Sequence, residues 1–108
     1  EAWDGAALII AYAPCIAHGI DMRDVQEIEK KAVQCGYFPL YRYHPANGLM
    51  LDSKAPDGDF QAFLMRQGRF AALRRSDPAK SETLCKMAEE AAQRRWNLLK
   101  MLKNREMP

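Results

Sequence analysis

Residues 6–13, Ala-Ala-Leu-Ile-Ile-Ala-Tyr-Ala, are apolar without a break. A run of that length and composition reads as a strand buried on both faces, the kind found inside parallel sheets. Pro14 ends its ladder, because proline has no N–H to donate. Asp21 then caps a helix. Met22, Val25, Ile28 and Ala32 recur at three- and four-residue steps and share one face of it. Gly36 supplies the left-handed residue after its last turn. The aromatic stretch Tyr37 to Tyr43 is extended and reads as a second strand, with Pro39 holding it to an edge or a strand start. Strand, helix, strand in this order predicts a right-handed crossover onto a parallel sheet.

His44-Pro45-Ala46-Asn47-Gly48 is a turn. Leu49 to Asp52 fits a short strand, and residues 53–58 a loop. Asp59 caps a short helix carrying Phe60, Phe63 and Leu64. Ser76 or Asp77 before Pro78 opens a long helix, since proline fits a first helical turn without losing a bond. That helix reaches Lys103, with Leu84, Ala88, Ala91, Leu98 and Leu102 along one side. Glu82–Lys86 and Glu90–Arg94 are spaced as four-residue charge pairs. The fold class is α/β, divided into residues 1–75 and a C-terminal helix over residues 76–108. Two strands make a poor complete sheet, and a strand buried on both faces needs neighbours on each side. The rest of the sheet is expected on other polypeptide, so the domain is incomplete.

Composition narrows the class. The chain has 108 residues, 48% hydrophobic and 28% charged, which suits one soluble globular domain and excludes wholesale disorder. Three cysteines cannot pair evenly and no CxxC is present, which argues against a disulfide scaffold or a self-contained zinc finger. The apolar run to Ile20 is too short for a bilayer and is broken by Pro14 and His18. No basic stretch precedes it, as a signal peptide would need. The chain opens on Glu1, which reads as a processed product or a piece of something longer.

Charge is segregated. Residues 1–65 carry five Lys/Arg and nine Asp/Glu, a net of −4; residues 66–108 carry eleven and five, a net of +6. A basic C-terminal surface could meet nucleic acid, an anionic lipid or an acidic protein. It could equally be a solvated helix whose cations favour its C-terminal end. No aromatic residues interleave with these charges as single-strand binding would want, so nucleic acid is not expected.

Cys15 is the position with most chemical scope. It stands just past the C-terminal end of the first strand, where open α/β sheets place their ligands. Its thiol could be a nucleophile, a metal or cluster ligand, or packing. His18 could activate it, or serve as a hydrogen-bonded loop residue. Cys35 and Cys85 have no ligand spacing and read as small core residues.

Residues 8–20, Leu-Ile-Ile-Ala-Tyr-Ala-Pro-Cys-Ile-Ala-His-Gly-Ile, closely resemble a segment near the C-terminus of pyruvate:ferredoxin (or flavodoxin) oxidoreductases. Three further blocks follow in the same order: residues 31–43, Leu51-Asp52-Ser53-Lys54, and residues 59–64. The likeness fades in the terminal helix. The stretch from Ala46 to Met50 is shorter than the family pattern, and Gly68 and Phe70 stand where valine and tyrosine are expected. The family's single-chain enzymes are many times longer than this chain.

The resemblance implies a function that spacing alone does not carry. Such enzymes decarboxylate pyruvate on thiamine diphosphate and Mg, pass electrons through 4Fe–4S clusters to ferredoxin or flavodoxin, and deliver the acetyl group to coenzyme A. The cysteine of the family's Tyr-x-Pro-Cys segment ligates the cluster nearest the thiamine, which makes Cys15 the expected metal ligand. The fold implied is the C-terminal part of the thiamine-diphosphate-binding fold. The other thiolates, the diphosphate loop and the pyruvate contacts belong outside the chain, so no catalytic residue is expected within it. The parent is expected to be a cytoplasmic homodimer, free of nucleic acid and membrane. Two further readings stay open: a non-catalytic module docking an acidic partner through its basic helix, and a cysteine enzyme built on Cys15 and His18.

Overall fold

The computed structural model describes residues 4–15, 17 and 19–104. Six regular elements follow a short 3-10 turn at Met22–Asp24. They are α1 (Val25–Gln34), β1 (Tyr41–His44), β2 (Gly48–Leu51), α2 (Phe60–Met65), α3 (Gly68–Ser76) and α4 (Pro78–Asn104).

Local chemistry sets most of the boundaries. The Asp21 carboxylate accepts from the Arg23 N–H at the head of the turn that leads into α1. Ile28 and Ala32 are buried on the face that the spacing predicts, while Met22 and Val25 are only partly covered or exposed. Past the end of α1, Gly36 takes φ 87°, the left-handed conformation that glycine adopts without strain. Asp57 and Gly58 both donate backbone N–H groups to the Gln34 carbonyl at 3.0 Å, so a distant loop satisfies part of the helix end. The Asp59 carboxylate accepts from the Ala62 N–H at 3.0 Å and caps α2.

Two expectations fail here. The sheet among the described residues is a two-stranded antiparallel hairpin, with Tyr41 opposite Leu51 and His44 opposite Gly48, not a parallel crossover. A three-residue connection through Pro45, Ala46 and Asn47 can reverse the chain only into an antiparallel partner. The reversal is closed by Asn47 N–H to the His44 carbonyl and by Ala46 N–H to His44 Nδ1, both 3.0 Å. The second correction concerns residues 6–13. They form no strand, and Leu8, Ile9 and Ile10 are 84%, 81% and 67% exposed. Tyr12 alone of the larger side chains in this run turns back onto the core.

The core lies between α1, α2 and α4. Ile20, Ile28, Ala32, Cys35, Phe60, Phe63, Leu64, Cys85 and Ala92 form one buried cluster, with Tyr12, Tyr37, Phe38 and Phe70 packed against it. α4 runs along α3 and β2. Its 27 residues account for most of the 51 Å long axis of the molecule. Its buried stripe is Ser81, Cys85, Ala92, Trp96 and Leu99. This corrects the expected leucine-rich side: Leu84, Leu98 and Leu102 are 43%, 53% and 42% exposed. The helix docks through the face that carries Trp96, whose large ring hides more apolar surface than any leucine. The Glu82–Lys86 and Glu90–Arg94 pairs are not closed among the described residues. Arg66, just past α2, pairs with Glu27 of α1 at 3.0 Å and reaches Asp24 at 3.8 Å.

Candidate functional site: the Cys15 loop

Cys15 follows two residues that anchor the chain. Tyr12 lays its ring against Tyr37 and Phe38, with ring centres 5.8 and 5.6 Å apart. Pro14 is buried. Beyond the loop, Ile20 re-enters the core at 5% exposure. Between these fixed points Cys15 is exposed, and its Sγ accepts from the Ala17 N–H at 3.4 Å. Ile16 and His18 lie outside the described residues, so the proposed pairing of Cys15 with His18 does too.

The other two thiols are separate from it in kind. Cys35 is buried at 7% exposure and donates to the Ala32 carbonyl at 3.7 Å. Burial pushes its pKa up, with the backbone N–H groups around it pulling weakly the other way. Cys85 is buried at 5% exposure with Ser81 Oγ 3.9 Å from its sulfur. Both therefore take the core role that their spacing suggested. Among the described residues no group of three His, Cys, Asp or Glu side chains could hold a metal ion.

A polar cluster flanks the anchored segment. Arg69 donates to the Tyr37 hydroxyl at 3.3 Å and to Gln67 Oε1 at 3.1 Å. Gln67 is fully buried, and its Nε2 has no partner among the described residues. The Tyr12 hydroxyl is likewise buried without one. Burial first, and then the neighbouring Tyr37, raise the Tyr12 pKa. Sequence reasoning passed over Tyr12, Gln67 and Arg69, because nothing local links residue 12 to residues 67 and 69.

A 4Fe–4S cluster takes four thiolates, and one can come from a distant segment. The donor set here fits one such ligand. Cys15 has an accessible sulfur, a backbone N–H already directed at it, and a stiff approach through Pro14. The other two cysteines, Cys35 and Cys85, are buried in the core and so are not placed beside it as further ligands.

No protein-family model matches the chain. Individual relatives do. It is 46% identical over 108 residues to a pyruvate:ferredoxin oxidoreductase of Moorella thermoacetica, across 94% of this chain and 9% of that protein. It is 43% identical over 104 residues to a pyruvate-flavodoxin oxidoreductase of Klebsiella pneumoniae, across 89% of this chain and 9% of the relative. A mitochondrial pyruvate dehydrogenase [NADP(+)] of Euglena gracilis matches at 39% over 106 residues, 6% of its length. The class these matches define is that of large oxidoreductases named for pyruvate. Within it, the chain is a relative of one segment of the pyruvate:ferredoxin and pyruvate:flavodoxin oxidoreductases, and it spans about a tenth of the length of the curated relatives it matches.

Proposed function

We propose that this chain is the cluster-anchoring segment of a pyruvate:ferredoxin or pyruvate:flavodoxin oxidoreductase, and that Cys15 supplies one thiolate to a 4Fe–4S cluster. One observation carries the reading: Cys15 is the single exposed cysteine among the described residues of a chain 46% identical over 108 residues to a pyruvate:ferredoxin oxidoreductase. The bound cluster would relay electrons one at a time between the pyruvate-derived intermediate and the protein acceptor. The chain's own part is to hold a sulfur. Pro14 and Ile20 fix the loop ends, and the Ala17 N–H stabilises negative charge on Sγ, a bond of the sort that tunes cluster potentials.

The exposed run 6–13 supports the same placement. Leu8, Ile9 and Ile10 present exposed apolar side chains, which flanking strands of a parallel sheet would cover. That sheet would be the C-terminal part of the thiamine-diphosphate-binding fold, with residues 1–75 in it and residues 76–108 packed across it. Thiamine diphosphate, Mg, pyruvate and coenzyme A would then be bound by polypeptide outside this chain. The parent would be a cytoplasmic homodimer. No helix among the described residues is long and apolar enough to cross a membrane.

The docking reading keeps one specific support. α4 shows Leu84, Met87, Leu98 and Met101 to solvent beside Arg94 and Lys100. Salt-dependent binding of an acidic carrier protein to this chain is the measurement that would favour it.

Iron and sulfide analysis of the full-length enzyme with Cys15→Ala tests the leading reading. Loss of one cluster's iron and a changed electron paramagnetic resonance spectrum are expected. Full iron content with an unaltered spectrum would remove Cys15 as a ligand. The 108-residue chain alone is expected to bind no cluster, because one thiolate cannot hold four irons.

A further inference from the structure

We infer that Gly19 and Gly68 are positioning residues for Cys15, locking the loop that presents its thiol against the start of α3. The purpose of the lock rests on the reading of Cys15 as a ligand, while its geometry does not. Gly68 N–H donates to the Gly19 carbonyl at 3.0 Å. Gly19 has φ 73°, a conformation strained for any residue with a Cβ. A Cβ on Gly19 would lie 2.5 Å from Gly68 Cα and 2.7 Å from Gly68 N. A Cβ on Gly68 would lie 3.0 Å from Gly19 Cα and 3.2 Å from its carbonyl oxygen. Both contacts are backbone against backbone, with no flexible side chain to yield.

The contact sits four residues from Cys15, and Ile20 enters the core directly after it. On the other side, Tyr12 and Pro14 fix the approach. The loop is thus pinned at both ends, and the Ala17 N–H reaches Cys15 Sγ within it. A Cβ at Gly19 forces loop and α3 apart, and one at Gly68 asks the Gly19 backbone to give by a few tenths of an ångström, which shifts that N–H relative to the sulfur.

The test uses the 108-residue chain and two readouts. One is the rate at which iodoacetamide alkylates each cysteine under native conditions, resolved by peptide mass spectrometry. The other is the Ala17 amide resonance. Gly68→Ala and Gly19→Ala are expected to shift that resonance and change the Cys15 rate several-fold, with Cys35 and Cys85 still protected. Gly36→Ala is the control. It carries a similar backbone strain at φ 87° and meets Pro56 instead, so it should lower stability and leave both readouts alone. The lock is overturned if Gly68→Ala leaves the Cys15 rate and the Ala17 resonance unchanged. It is equally overturned if Gly36→Ala moves them as far, or if Gly68→Ala unmasks all three thiols together. Should Gly19→Ala not fold, Gly68→Ala alone decides. Failure of the ligand reading shows elsewhere, as iron retained by full-length Cys15→Ala.

Discussion

The Tyr12 hydroxyl is buried against aromatic rings with no hydrogen-bond partner among the described residues. A hydroxyl in that state costs free energy, because it has given up water and gained nothing. Tyr12→Phe keeps the ring contacts and removes the cost. It should therefore leave this chain unchanged or stabilise it by up to about 1 kcal/mol in urea melts. A loss of that size instead would mean that the hydroxyl is bonded in solution. At this scale the sequence was informative about the thiols. Lack of ligand spacing placed Cys35 and Cys85 in the core, and both are there. Nothing in it linked Gly19 to Gly68. Glycine leaves no hydrophobic signature, and their contact spans 49 positions.

Elements whose determinants are local were readable from residue types. Asp59 caps α2 as expected, Gly36 follows the end of α1 and Pro78 opens α4, while Asp21 caps the 3-10 turn ahead of α1 rather than α1 itself, whose N-cap is Asp24. α3 had no such signal. Its N-terminal residue Gln67 makes no side-chain cap, and the element was not foreseen. The face of α4 was misjudged because the helix carries two apolar stripes, and only packing selects between them. Adjacent leucines separate the two. Leu99, 8% exposed, should cost about 2–5 kcal/mol when changed to Ala, whereas Leu98→Ala should stay within about 0.5 kcal/mol. Equal losses by chemical denaturation would contradict the buried stripe. The expected strand at 6–13 failed for a related reason: its composition asks for strand neighbours, and the only strands among the described residues, β1 and β2, pair with each other.

Over the whole molecule, stability should depend on pH in two physically different ways. Asp21 is held below its ordinary range by Arg23, and Glu27 by Arg66 and then Lys31. Depressed carboxyls add stability above the unfolded carboxylate pKa, and it is lost as pH falls through their folded values. These groups are exposed, so that acid limb should be shallow and weakened by salt. Cys35 and Tyr12 are raised, chiefly by burial. Their contribution is complete below the unfolded thiol and phenol pKa values and is lost as pH rises through the folded ones. This alkaline limb comes from desolvation and should respond little to salt. Thermal melts across pH at two ionic strengths check both limbs, and a melting temperature that climbs into the tyrosine range would contradict the second. The candidate site was legible as one residue, Cys15. Its supports were not, since they come from residues 12, 37, 67, 68 and 69, joined only by folding.

Leu8, Ile9 and Ile10 leave the molecule with a bare, sticky margin. Apart from whatever normally lies beside it, such a margin invites other copies to stack edge to edge. The chain should therefore form thioflavin-positive assemblies as its concentration rises, and a single cation placed by Ile9→Lys should delay them. A lag time in turbidity that Ile9→Lys does not lengthen would place the weak point elsewhere.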